Sequence, residues 1–253
     1  MRYLFDTDKP RIFAHRGLAL DSVGGPLDEN TLPAFSRALE VGAHYIESDI
    51  QVTADGVPVL FHDNDLKRVA GIDAPVQALS VAEIQAIKLE NGGQIPTLVE
   101  ALQAFPTARF NLDFKSVASI FAGTREIQNL GAAGRIMVAS FSDARRMAAK
   151  SKLPGVASSA GSSRVLQALV GSALRIPFAT GISLDGVDAL QIPTHFGSLR
   201  LDSKRFIKSV QNAGAEVHFW TINDTDEMQR LIALGANGIV TDRADLAVAA
   251  LLG

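Results

Sequence analysis

The sequence predicts an α/β fold, a (β/α)8 barrel with a small insertion after its second strand, and three observations carry that expectation. The chain has 253 residues, and one such barrel takes ~250 residues, so no second domain is needed. A helical stretch, a Gly-Ala pair and a short apolar stretch recur in that order, through Gly42-Ala43, Gly214-Ala215 and Gly235-Ala236. A glycine there suits the left-handed residue that ends many helices. Short runs rich in β-branched or aromatic residues, with few charges until their C-terminal ends, alternate with helix signals, the pattern of a parallel sheet with helices outside it.

Taken in order, the first strand is expected at 11–16 and the first helix at 32–41, where Asn30 or Thr31 can serve as N-cap. The second strand is expected at 44–51. About 45 residues separate its end from the next barrel helix, against the ~2–6 of an ordinary βα loop. Within them Thr53-Ala-Asp-Gly56 is a turn signal and 57–61 a returning hairpin strand. The rest, 64–96, reads as a small insertion with one helix at 80–88, placed over the C-terminal mouth of the barrel. Ser80-Val-Ala-Glu83 and Thr97-Leu-Val-Glu100 are capping boxes, the second opening a helix at 97–105. The remaining strands are expected at 109–115, 135–141, 155–159, 188–193, 216–222 and 238–241. Their helices are expected at 117–130, 142–150, 163–171, 203–213, 225–234 and 244–252.

Composition removes several function classes. Apolar residues make up 47% and charged residues only 20%, enough core material to argue against disorder. The net charge of −3 lacks the basic excess of nucleic-acid binding, and no nucleic-acid partner is expected. There is no cysteine, which excludes disulfides, thiolate metal sites and a thiol nucleophile. Asp6 and Asp8 interrupt what would be the apolar part of a signal peptide, and no run approaches the ~18 apolar residues of a membrane span. The expectation is a cytoplasmic protein without stable membrane insertion; oligomeric state is not legible.

Ionisable residues concentrate at the predicted strand ends. The first strand ends in His15-Arg16-Gly17, the second carries Glu47 and Asp49, the hairpin delivers His62-Asp63, and the third barrel strand carries Asp113 and Lys115. Glu47 and Asp49 are two apart and share one strand face, as do Asp113 and Lys115. Ile46, Ser48 and Ile50 take the other face, so the carboxylates point inward, where mutual repulsion and lost hydration need compensation. A hard divalent cation held by Glu47, Asp49 and Asp113 supplies it; salt bridges to Arg16 and Lys115 are the plainer alternative. His15 and His62 are the candidate proton carriers, since imidazole titrates near neutrality. Arg16 and Lys115 are candidates for a phosphate, and Trp220, at the end of the seventh strand, for a wall against the organic part of a substrate. His44, His195 and His218 are read as structural or surface residues. Thr241-Asp242 ends the eighth strand and can cap the last helix or line the mouth, capping being the preferred reading.

The ordered set His15-Arg16-Gly17, Glu29-Asn30-Thr31, Glu47-Ser-Asp49, Phe61-His62-Asp63, Ile95-Pro-Thr-Leu98, Asp113-Phe-Lys115, Ser140-Phe141, Trp220-Thr-Ile-Asn223 and Gly238-Ile-Val-Thr-Asp242 resembles the glycerophosphodiester phosphodiesterase family over 11–242. The resemblance implies a TIM barrel and a metal-dependent hydrolase. Its substrates would be glycerophosphodiesters such as glycerophosphocholine or glycerophosphoethanolamine, its products sn-glycerol 3-phosphate and an alcohol. It implies His15 and His62 as acid and base, with a cyclic phosphate on the path. It implies Glu47, Asp49 and Asp113 as ligands of one divalent cation, Mg²⁺ or Ca²⁺ with Mn²⁺ a third candidate, and Arg16 and Lys115 as phosphate contacts. Two positions depart from the family pattern: Asp28 stands where Pro usually precedes Glu-Asn-Thr, and Asp113 where the third ligand is commonly Glu. Related sphingomyelinase-D-like phospholipases also tend to use Asp there, which keeps an enzyme acting on lysophospholipids or sphingolipids as the second reading. A non-catalytic phosphodiester-binding barrel is the third.

Overall fold

The computed structural model describes residues 3–4, 9–20 and 24–253; Asp6 and Asp8 lie outside them. Eight parallel strands form the barrel in spatial order: β6 (Ala157–Ser158), β5 (Ile136–Ala139), β4 (Arg109–Phe114), β2 (Tyr45–Val52), β1 (Arg11–His15), β11 (Gly238–Thr241), β10 (Glu216–Phe219) and β7 (Ala189–Ile192). A parallel bridge between Ser159 and Ala189 joins the two ends, so the barrel is nearly closed. All eight coincide with predicted strands. Around them run α1 (Leu32–Glu40), α4 (Leu98–Ala104), α5 (Val117–Asn129), α6 (Asp143–Lys152), α7 (Ser162–Ala173), α9 (Lys204–Asn212), α10 (Thr225–Leu234) and α11 (Ala244–Leu252).

Side-chain alternation sorts each strand as expected. Ile46, Ile50, Phe110, Leu112 and Phe114 face outward into one cluster beneath the helices, and Ile12, Leu190, Val217 and Ile239 into another. Phe13, Tyr45, Met137 and Val240 face inward and fill the barrel. Its N-terminal end is closed by a polar cluster. Arg11 donates from Nε and Nη2 to Glu216 at 2.6 and 2.5 Å, and His218 Nε2 lies 2.9 Å from the same carboxylate.

Between β2 and α4 the chain makes β3 (Pro58–Leu60), antiparallel to β2 with Ile50 opposite Leu60, then α2 (Lys67–Ala70) and α3 (Val81–Ala86). Val59, Phe61, Leu66, Val76, Ile84, Leu89 and Ile95 give this insertion a small core of its own. Both predicted capping boxes are formed, Ser80 with Glu83 and Thr97 with Glu100. Three elements are additional to the sequence reading: α2, α8 (Pro177–Ser183), and the hairpin of β8 (His195–Phe196) with β9 (Leu199–Arg200). In α8 the reason is physical. Thr180 and Ser183 are buried while Phe178 and Ile182 are exposed, so its apolar stripe faces opposite to that of an ordinary surface helix.

Candidate active site

Strand register assembles the mouth of the barrel. His15 pairs with Glu47 across β1 and β2, and Asp49 pairs with Asp113 across β2 and β4. Neighbours in register on inward-facing positions have adjacent side chains, so two histidine–carboxylate and carboxylate–carboxylate contacts follow from alignment alone. Arg16 and Gly17 turn the chain out of β1 with φ of 57° and 85°. At Gly17 a Cβ would stand 2.8 Å from the Ala34 backbone, so only glycine lets that loop close on α1.

Each predicted histidine is bound to a carboxylate. His15 Nδ1 lies 2.6 Å from Asp242 Oδ1, and its Nε2 lies 3.9 Å from Glu47. Asp242 is held in turn by Asn223 Nδ2 at 2.7 Å. His62 Nδ1 lies 2.6 Å from Asp63 Oδ1, whose other oxygen accepts from Arg68 Nε at 2.6 Å. Arg68 also donates to Glu29 at 2.5 Å, and Glu29 accepts from Arg16 at 2.9 Å. A continuous chain of hydrogen bonds therefore links His62, through the insertion, to Arg16. Of the two places the sequence offers Asp242, the less favoured one is found. Asp242 does not cap α11, whose N-cap residue Arg243 makes no side-chain capping bond; it lines the mouth because the backbone after β11 turns beside His15.

Two of the three inward carboxylates flank a lysine. Lys115 Nζ lies 2.7 Å from Asp49 Oδ1 and 2.9 Å from Asp113 Oδ2, and Arg16 Nε lies 3.8 Å from Asp49. Glu47 instead accepts from the Arg16 amide at 3.2 Å. Among the described residues no three His, Asp or Glu side chains stand in metal-ligand geometry. The pairing alternative is thus what the side chains make for Asp49 and Asp113, and it leaves one oxygen of each without a hydrogen bond. Asp49 Oδ2 and Asp113 Oδ1 are buried without a hydrogen-bond partner.

Burial and mutual repulsion set the electrostatics of this cluster. Burial, then the nearby Asp49, pushes the Glu47 carboxyl up to about 7. Burial also raises Asp113. Burial opposes the charge on Lys115, but Asp49 and Asp113 outweigh it and hold the ammonium above its usual value. For His15, burial works against protonation and is outweighed by the Asp242 hydrogen bond and by Glu47, so its imidazole is raised. Burial is likewise outweighed at Asp63 and Asp242, which their partners hold below the usual carboxylate range.

A cavity of about 390 Å³ opens beside these groups, lined among others by His15, Arg16, Glu29, Phe61, Arg68 and Asp242. That is the size of a small-molecule site. One wall is made by the insertion. Asp28 accepts from the Asn91 and Gly93 amides at 3.1 and 2.8 Å, and from Asn91 Nδ2 at 3.1 Å. The Asp at this departure from the family pattern therefore ties the Glu29 loop to the insertion through hydrogen bonds that a Pro could not accept. Trp220 stands at the end of β10, edge-on to Phe141 with ring centroids 6.1 Å apart. Sequence reasoning missed Arg68, which lies 39 residues from Glu29 and carries no local signal of that partner. For Asp242 the signal was its place at a strand end, shared with His15.

A model of the glycerophosphoryl diester phosphodiesterase family matches residues 15–246. A Mycobacterium tuberculosis protein named as probable glycerophosphodiester phosphodiesterase 2 is 34% identical over 234 residues, covering 92% of this chain and 87% of that protein. A Caldanaerobacter subterraneus glycerophosphodiester phosphodiesterase is 28% identical, covering 92% and 94%. Among solved structures, an Oleispira antarctica phosphodiesterase in complex with the product sn-glycerol-3-phosphate superposes with a TM-score of 0.74 at 23% identity, covering 96% of each chain. That last similarity supports the barrel fold.

Proposed function

The chain belongs to the glycerophosphoryl diester phosphodiesterase family, and from that premise we propose that it hydrolyses glycerophosphodiesters such as glycerophosphocholine and glycerophosphoethanolamine to sn-glycerol 3-phosphate and a free alcohol. The observation that carries this reading is the pair of imidazoles at the barrel mouth, each with Nδ1 2.6 Å from a carboxylate. A carboxylate that accepts from Nδ1–H leaves Nε2 as the atom that exchanges protons. Two such groups, of which His15 lines the cavity of about 390 Å³, suit a diester, because one proton must leave the attacking oxygen and another must reach the leaving alcohol.

In this reading one histidine takes the proton of the glycerol 2-hydroxyl as that oxygen attacks phosphorus, and the other protonates the departing alcohol at its oxygen. The same two groups with exchanged roles then open the cyclic phosphate with water. Arg16 and Lys115 neutralise the equatorial oxygens, where transition-state charge grows. Trp220 walls off the alcohol.

The residues fit a divalent cation by their donor chemistry. Asp49 Oδ2 and Asp113 Oδ1 are buried oxygens without partners, and Glu47 is pushed up to about 7 by burial and by Asp49; hard oxygen donors in carboxylate excess are what Mg²⁺ or Ca²⁺ binds. Glu47, Asp49 and Asp113 would hold it, and it would polarise a phosphoryl oxygen.

The test is release of sn-glycerol 3-phosphate from the two diesters by protein stripped with EDTA and resupplied with Mg²⁺, Ca²⁺ or Mn²⁺, with His15→Ala alongside. Metal-restored release that the substitution abolishes is the expected result. Equal turnover of a diester lacking the 2-hydroxyl would overturn the cyclic path. Release from lysophospholipid but not from soluble diesters would replace the substrate assignment.

A further inference from the structure

Helices α7 and α8 carry apolar side chains on the side where a surface helix carries polar ones. On α7 and the residue that follows it, Leu166, Val170 and Leu174 form an i, i+4, i+8 stripe exposed by 59, 49 and 64%. On α8, Phe178 and Ile182 are exposed by 77 and 58%, and Ile176 just before it by 46%. The inner faces do not account for this outward stripe. Ala168 and Ser172 of α7 and Thr180 and Ser183 of α8 are the buried ones. The two helices meet closely, since a Cβ at Gly171 would stand 2.9 Å from the Thr180 amide.

Charge on these helices and the adjoining α9 has one sign. Residues 162–183 and 204–212 contain Arg164, Arg175, Lys204, Arg205 and Lys208 and no Asp or Glu, in a chain of net charge −3. Arg164 pairs with Asp143 of α6. Arg175, Lys204, Arg205 and Lys208 are exposed and make no ion pair among the described residues. Elsewhere on the surface, exposed arginines such as Arg68, Arg125 and Arg200 have carboxylate partners.

We propose that the outer face of α7, α8 and α9 docks this protein on an anionic lipid bilayer. Exposed apolar side chains on packed helices that also carry exposed cations without ion pairs suit an interfacial surface. The Phe, Leu and Ile side chains enter the acyl boundary, and Arg and Lys reach the headgroup phosphates. No helix of the described residues is long and apolar enough to cross a membrane, so the attachment is peripheral. A second copy of the chain fits this face less well, because a twofold contact through it brings its cations near their own copies. The inference stands apart from the chemistry at the barrel mouth and is read without substrate.

The experiment is flotation of the protein with vesicles of phosphatidylcholine alone and of phosphatidylcholine mixed with phosphatidylglycerol, at low and high salt. Binding to the mixed vesicles that salt weakens is the expected result. Phe178→Ser combined with Leu174→Ser should lower the partition coefficient by about tenfold, and Lys204→Glu combined with Lys208→Glu by a similar factor. These side chains are exposed, so the fold stays intact, which circular dichroism checks. Phe121→Ser, at an exposed phenylalanine of α5, should leave partitioning unchanged. Absence of binding to the mixed vesicles, or equal loss in Phe121→Ser, overturns the proposal. So does a dimer in analytical ultracentrifugation that Phe178→Ser dissociates, which assigns the face to self-association.

Discussion

The two ends of the barrel hold the same chemical groups in opposite states. At the N-terminal end His218 is fully buried, its Nε2 2.9 Å from Glu216, which Arg11 also grips. At the C-terminal end the His15 side chain is 21% exposed, with Asp242 at one ring nitrogen and Glu47 near the other. Burial dominates at His218 and lowers its imidazole, whereas at His15 the Asp242 bond and Glu47 outweigh burial and raise it. The difference lies in what surrounds each pair. The lower cluster is capped by Phe13, whose ring lies 4.7 Å from that of His218. The upper one borders a cavity. In the proposed reading a histidine–carboxylate–arginine set is thus a plug where the barrel is filled and a proton-transfer site where it opens, at the C-terminal face where such barrels place their active sites.

The largest expected effect separates the two ends by activity. His15→Ala should lower kcat/KM by about 10³-fold and leave the thermal midpoint almost unchanged. Asp242→Asn should cost less, about tenfold to a hundredfold, because it leaves the imidazole in place and weakens only its tautomer and orientation. Steady-state kinetics beside thermal melts decide both; a His15→Ala variant that unfolds would make the upper cluster a second plug.

The reverse is expected below. Glu216→Ala leaves Arg11 and His218 buried without their shared carboxylate, at a cost of about 3 kcal/mol in unfolding free energy. Urea unfolding measures the loss, and kcat/KM of the folded fraction should match the parent. A large kinetic defect at full occupancy of the fold would break the division between the ends.

How far this division could be read beforehand depends on sequence distance. His15, Glu47 and Asp49 announced themselves because strand ends and period-two spacing place charges inward, and register then made their contacts. The eight barrel strands were legible for the same reason: each is a short apolar run. For Asp242 the mouth was only the second reading, because its partner lies 227 residues away and only closure of β1 on β11 joins them. Arg68 was missed because the path of the insertion is not encoded in any periodic pattern. Helix α8 escaped because its apolar residues face outward, which defeats a reading that equates apolar with inward. The reading of His218 as structural or surface rests on the want of an acidic neighbour; the residue is structural, but its partner Glu216 stands two residues away on the same strand face, a period-two pairing that reading overlooks.

The pH dependence of stability should differ in sign between the two histidines. Burial resists ionisation of Glu216, but His218 and Arg11 hold it down at about 2. A depressed carboxylate contributes stability that is present above its unfolded value of about 4.3 and is lost as pH falls toward the folded value, a term of about 3 kcal/mol. His218, also lowered, adds to the acid loss, since the unfolded imidazole takes up a proton that the folded one resists. His15 is raised, so its contribution is complete below about 6.5 and fades as pH rises through the folded value. Unfolding free energies from acid to neutral pH should therefore fall on the acid side, and Glu216→Gln should flatten that limb whereas His15→Gln should not.

The smallest effect concerns how the upper end keeps its shape. Asp28 accepts three hydrogen bonds from Asn91 and Gly93, and on the same loop Glu29 binds both Arg16 and Arg68. Asp28→Ala removes the tie without touching either histidine. The bonds are partly exposed, so about 1 kcal/mol is the expected cost. It should fall on local opening of the insertion and not on global unfolding. Amide exchange should quicken at Asn91 and Gly93 and remain slow in β1 and β2. KM should rise a few-fold as the cavity wall loosens, with kcat nearly unchanged, because the proton-transfer groups stay in place. A fall in kcat instead would mean that the insertion positions His62 through Arg68 and Asp63, and that the upper end depends on this small appended core as the lower end depends on its plug.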